Sequence, residues 1–333
     1  MNESWQAFLT NNGAHFDGNL PSWPASEHSD RLYDLSDYGV IEATGDDTVT
    51  FFQGQLTNNM TLITEQLGQF SSSCSPKGRM LASIRIFKRN DAYYIMLPQP
   101  LMEAMVKRFR MYVMMSKVVL TDVSDQFALT AIEGNTLLST LGSQLSIPDE
   151  NYGCHTDNGI TVLRVEQNRV LIFAPNDTAQ NLWLKLSGNA QLSNSIDWRR
   201  SEIMAGIPTI TTETVESFVP QMANIQLING VSFDKGCYTG QEVVARIHFL
   251  GKLKKRMYQA ELKIDEAPLP GSKLFVADNE QSIGEIVDIQ ATTENTYVLL
   301  AVIQIAKADN TILAGSPTGV ELSLQSLPYE FPE

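Results

Sequence analysis

The apolar positions along this chain follow two periods, and the change from one to the other marks its elements. Short runs rich in β-branched and aromatic residues read as strands at residues 40–44, 81–87, 91–97, 117–123 and 127–133, with a hairpin at 161–173. Helical spacing appears at 101–112, where Leu101, Met105, Phe109 and Tyr112 share a face, and again at 178–186 and 196–205. The last of these helices carries Trp198, Arg199, Arg200 and Glu202 and stops at Gly206 and Pro208. A short helix capped by Asp46 or Asp47 buries Val49 and Phe52 and ends at Gly54. Pro268 and Pro270-Gly271 mark a linker, and the alternating runs 272–276, 284–290 and 297–305 beyond it form a small all-β domain. Residues 11–30 are polar, carry Pro21 and Pro24, and read as a loose arm, so that regular structure begins at Leu32. Strands and helices in this order predict an α+β layer architecture.

Length and charge narrow the classes. A chain of 333 residues exceeds one compact core, so two or three domains are expected. The net charge of −14 opposes a general nucleic-acid binder, whose footprint is basic. The N-terminus shows no signal peptide, and the longest apolar run, residues 298–303, is too short to cross a bilayer. Three cysteines, Cys74, Cys154 and Cys237, form no CxxC pair, and the chain reads as cytoplasmic and reducing. Cys154-His155 lies in a loop over 148–160 without further ligands at metal spacing, and no metal site is expected. The Met-rich piece 111–115 reads as core filler.

One stretch reads as chemistry: Asp234-Lys235-Gly236-Cys237-Tyr238-Thr239-Gly240-Gln241-Glu242. A cation or a helix N-terminus lowers a thiol's pKa, and here Lys235 precedes Cys237 while a helix begins near Gln241, with Thr239 or Gly240 as its cap. Buried, inert cysteine is the competing reading. A second feature is basic: Arg246, Lys252, Lys254, Lys255 and Arg256 follow with His248 and no acidic residue between them. They suit an acidic partner or a tRNA backbone, or else form a solvated helix end.

The segment from Lys235 to Arg246 resembles the signature of the folate-binding YgfZ family of tRNA-modification factors, which is similar in turn to the aminomethyltransferases of glycine cleavage. Companion motifs are Phe52-Gln53-Gly54-Gln55-Leu56-Thr57, Lys77-Gly78-Arg79, Ala205-Gly206-Ile207-Pro208 and Phe218-Val219-Pro220-Gln221 with Asn224. The resemblance implies three domains around a central folate cavity. It places an arm at 1–30, a central α/β domain at 31–50 and 125–245, an inserted ferredoxin-like α+β domain at 51–124, and a C-terminal β-barrel with its linker at 246–333. It implies tetrahydrofolate or a related folate as cofactor, with Trp198 packed against it and Tyr38 standing where the family has a second tryptophan. A folate needs flat faces, hydrogen-bond partners for the pterin edge and cations for its tail. Trp198 and Tyr38 offer faces; Gln55, Asn224 or Gln221 offer polar edges; Arg79, Arg199, Arg200 or Lys77 suit the tail. Tyr238 joins this set from the cysteine loop.

Two departures separate the chain from the transferases. Met204 and Leu81-Ala82 stand where they carry a glutamate and an aspartate, and an aliphatic side chain relays no proton. The expectation is a folate-binding factor that supports iron–sulfur enzymes of the radical methylthiotransferase type, with Cys237 and Lys235 as thiol and cation. A one-carbon transferase or demethylase is the first competitor. A non-catalytic RNA-binding module, disfavoured by the overall charge, is the second.

Overall fold

A helix that the polar arm does not announce opens the chain. In the computed structural model, which describes residues 2–331, Glu3–Asn11 is helical and the carboxamide of Asn2 caps it, accepting from the amides of Ser4 and Trp5. The helix buries Trp5 and Leu9, whose i, i+4 spacing makes a stripe too narrow to stand out in nine residues. A small hairpin, His15–Asp17 with Leu20–Ser22, follows. The arm expected over 1–30 is thus tied down: the indole N–H of Trp5 donates to buried Asp34 at 2.7 Å, and its ring meets Trp183 edge-on. Burial raises the Asp34 carboxyl, opposed by its bonds from Trp5 and Ser36.

The chain folds as two units. The first runs to Phe51 and adds Met60–Gln69 and Arg85–Trp198; the second comprises Phe52–Asn59, Phe70–Ile84 and the chain from Arg199. In the first unit, six strands lie in the order Cys154–Asp157, Ile160–Glu166, Arg169–Pro175, Phe127–Glu133, Arg31–Asp34, Gln191–Ser193, with only the last pair parallel. Alternation sorts its side chains. Leu32, Ile132, Val170 and Ile172 pack on Leu137, Leu141, Trp183 and Leu186 of the helices Asn135–Gly142 and Asn176–Ser187. Tyr33, Ala131, Leu171 and Phe173 face an aromatic cluster with Tyr38, Phe87, Tyr94 and Trp198. Tyr38–Thr44, Ala92–Pro98 and Val119–Asp122 form antiparallel neighbours, joined from Arg85 onward by the strand Met80–Arg89.

Two expectations change here. Met111, Met114 and Met115 are exposed rather than core, because Met102, Met105, Val106 and Phe109 occupy the buried face of Met102–Val113, and Met114, at φ +42°, ends the helix. Cys154 and His155 lie on the edge strand Cys154–Asp157, not in a loop; Cys154 turns inward, where burial pushes its thiol up to about 12.

The second unit contains a closed six-stranded barrel in the order Lys255–Lys263, Thr296–Gln304, Gly284–Thr293, Lys273–Val276, Ile312–Ala314, Val320–Gln325. Ala260, Leu262, Leu274, Ile286, Leu299, Ala301 and Ile303 fill it. The Pro268 to Gly271 stretch is a loop within the barrel, since Lys255–Lys263 pairs with both Thr296–Gln304 and Val320–Gln325. Among the described residues no helix is long and apolar enough to cross a membrane.

Candidate functional site

The scattered motifs of the second unit converge on the cysteine loop. Its approach is tied to the Phe52–Asn59 segment by backbone and side-chain bonds. The amide of Ser232 donates to the carbonyl of Thr57, the Thr57 hydroxyl donates to that of Gly230 at 2.8 Å, and Asn58 Nδ2 donates to that of Asn229 at 2.7 Å. Past the cysteine, the Thr239 amide donates to the carbonyl of Gly54 at 3.1 Å. The Phe52 to Thr57 motif is therefore the cradle of the loop.

Lys235 completes the tie. Its side chain is buried, and Nζ donates to the carbonyls of Leu56 at 2.6 Å and Asn58 at 2.8 Å, with the Tyr238 ring centroid 5.0 Å away. Burial lowers the Lys235 ammonium to about 8, while the two carbonyls satisfy its protons. The cation expected beside the thiol thus points inward and anchors the loop. Tyr238 is buried on the other side of the cysteine, its hydroxyl raised by burial and by the neighbouring Cys74. Between these two anchors Gly236 and Cys237 are exposed, so the competing reading of a buried, inert cysteine does not hold.

The helix Gln241–Phe249 begins at Gly240, which has φ +85°. A Cβ on Gly240 would lie 2.4 Å from the Ser75 carbonyl oxygen and 2.8 Å from Gly78 Cα. Gly78, at φ +69°, is equally close to Val243, so both glycines are required for the turn before Met80 to meet the helix start. Arg79 donates to the carbonyls of Glu216 and Ser217, and the Met80 amide to that of Phe218. Gln221 Nε2 donates to the Val244 carbonyl at 2.6 Å. Arg79, expected at a folate tail, is thereby engaged with loop backbone.

The remaining candidates are buried. Gln55 lies beneath the loop approach. Asn224, left-handed at φ +58°, donates through Nδ2 to the Met257 carbonyl at 2.9 Å, and Tyr329 donates to the Gly206 carbonyl at 2.8 Å. Asn224 Oδ1 and Gln221 Oε1 are buried acceptors without a donor among the described residues. In the first unit, Trp198 has no exposed surface: Tyr33 meets it edge-on at 5.3 Å and the Arg169 guanidinium lies 4.9 Å from its ring centre. Tyr38 is buried in the same cluster.

Sequence reasoning missed three pairings. Arg169, buried among strands, holds Glu166 at 2.9 Å besides covering Trp198. Arg199 grips the buried Asp288 carboxylate with two bonds, at 2.5 and 3.2 Å, which removes it from the residues open to a folate tail. Phe233 stacks on His248, centroids 3.6 Å apart and planes 7° from parallel. No local pattern signals any of them, because each partner lies on a different element. The basic run is also divided: Arg246 pairs with Glu242 at 2.8 Å and Arg256 lies 4.2 Å over the Phe331 ring, while Lys252 and Lys254 are exposed and Lys255 starts a barrel strand.

The sequence matches no protein-family model. It is 29% identical over 318 residues to the tRNA-modifying protein YgfZ of Yersinia enterocolitica, a match that covers 94% of this chain and 96% of that protein. Its structure superposes on the glycine cleavage system aminomethyltransferase T from Bartonella henselae with a TM-score of 0.77, at 16% identity, covering 98% of this chain and 97% of that one. The chain has the aminomethyltransferase-like fold, closed by a C-terminal β-barrel, and its likeness to YgfZ extends well beyond the cysteine motif.

Proposed function

We propose that this chain is a cytoplasmic folate-binding factor that assists iron–sulfur enzymes, including those that add methylthio groups to tRNA, and that Cys237 is its working thiol. The observation that carries this reading is the construction of the cysteine loop. Four dispersed motifs, Lys235 and two left-handed glycines hold one exposed thiol in place. A loop so tied has more fixed geometry than packing alone requires.

For the folate, the second unit offers chemistry that fits. The open acceptors of Gln221 and Asn224 suit the N–H edge of a pterin, since a buried acceptor without a donor costs about 1–3 kcal/mol until one arrives. Trp198, by contrast, is closed, so a stacking role requires its covering groups to move. Bound folate would supply a one-carbon or redox-active pterin. The chain itself has no carboxylate at Leu81, Ala82 or Met204 to relay a proton from it.

Titration of tetrahydrofolate, followed by tryptophan fluorescence, is expected to show saturable binding that Trp198→Phe weakens. Absence of binding to the wild type would remove the folate half of the proposal. Cys237→Ser changes an exposed side chain and is expected to leave the fold intact. In a strain lacking its own factor of this kind, it should fail to restore methylthiolated nucleosides in tRNA, read by mass spectrometry. Full restoration would end the role of the thiol.

A further inference from the structure

We propose that the exposed end of the helix Gln241–Phe249, with the loop through Lys254, is a docking platform for single-stranded RNA. Three observations within the second unit carry it. Phe233 and His248 form a parallel stack at 3.6 Å, the spacing and orientation of stacked bases, and His248 is exposed at its outer side. Beside it Phe249 is 64% and Leu250 86% exposed, an apolar surface that a monomeric domain normally covers. Lys252 and Lys254 follow at once, both exposed.

This combination selects its occupant. Flat rings beside exposed cations suit unpaired bases on a phosphate backbone, with stacking independent of sequence. An acidic peptide would satisfy Lys252 and Lys254 but leave the ring faces unused. A duplex keeps its bases stacked on one another and presents only phosphate. The acidic groups nearby are accounted for: Glu242 is paired with Arg246, and Asp234 is exposed beside Phe233. With the chain at −14 overall, long-range repulsion opposes a polyanion, so binding is weak and falls steeply with salt. The platform also adjoins the thiol in sequence, since Phe233 lies four residues before Cys237. It is independent of folate binding.

The test is fluorescence anisotropy with a short unstructured oligoribonucleotide, the same strand in a blunt duplex, and polyglutamate as competitor, at about 50 to 200 mM salt. The wild type is expected to prefer the single strand over the duplex and over polyglutamate. Phe249→Ala with Leu250→Ala should weaken binding about tenfold at constant salt. Lys252→Glu with Lys254→Glu should lower the slope of log K against log salt by about 1. All four side chains are exposed, and unchanged melting temperatures confirm that the fold is kept. The proposal is overturned by no binding at the lowest salt, by equal binding of duplex, by equal competition from polyglutamate, or by a Phe249/Leu250 variant that binds like the wild type. Tetrahydrofolate titration of the same variants separates the two readings: loss of RNA binding with folate binding intact is expected.

Discussion

Arg199→Met is expected to destabilise the second unit by about 3–5 kcal/mol, measured by urea unfolding at neutral pH. The reason is the carboxylate left behind. Asp288 is 1% exposed, inside the barrel strand Gly284–Thr293, and Arg199 reaches it from the helix Ser195–Met204. A buried ion pair adds little over a well-packed apolar pair, but removing one partner strands a charge in low dielectric. Burial already raises the Asp288 carboxyl, and Arg199 is the main opposing influence. Without the guanidinium it rises further. The folded state then binds a proton that the unfolded state has released, so stability falls as pH rises through that window. The gap between variant and wild type is therefore expected to narrow as pH drops toward the unfolded-state carboxylate pKa. Arg199→Met with Asp288→Leu should recover most of the loss. A single variant as stable as the wild type would mean that the pair contributes nothing.

Gly240→Ala is expected to cost about 2–4 kcal/mol and to disorder the cysteine loop. Two effects add. The residue has φ +85°, which disfavours any side chain by about 1 kcal/mol. The new methyl would also stand 2.4 Å from the Ser75 carbonyl oxygen and 2.8 Å from Gly78 Cα, and these backbone atoms cannot swing aside as a side chain would. The helix start must then move from the Ser75 to Arg79 turn, which takes Tyr238 and Thr239 away from their contacts. Hydrogen exchange should locate the damage: the Thr239 amide, bound to the Gly54 carbonyl in the wild type, should lose protection before the barrel does. Equal protection would show that the loop does not depend on this close approach. Gly236→Ala is the control, because a Cβ there meets nothing within 4 Å.

Where local pattern and burial coincide, the chain was legible. Residues 127–133 read as a strand and are one, because their alternation is set by a sheet buried on both faces. The helix starting at Gln241 was legible because glycine at a left-handed cap leaves a local signature. The opening helix was not, since two buried residues in nine carry too little period. The methionines at 111–115 misled for a related reason. Hydrophobicity says what a residue gains by burial, whereas the helix register decided that this face had nothing to cover it.

The candidate site divides along the same line. The residue types around position 237 determined by themselves that the chain carries a glycine-flanked thiol ahead of a helix, with a lysine nearby. That is local chemistry and needs no partner. Only the tertiary structure decided what each residue does there. Lys235 bonds to Leu56, 179 positions away, and so became an anchor rather than the thiol's cation. Arg199 bonds to Asp288, 89 positions away, and so left the set open to a ligand. A long cationic side chain reaches several ångströms in any direction, and burial favours whichever acceptor satisfies its protons at least cost in desolvation. That choice is made among groups the fold brings together, and no local run of residues contains it.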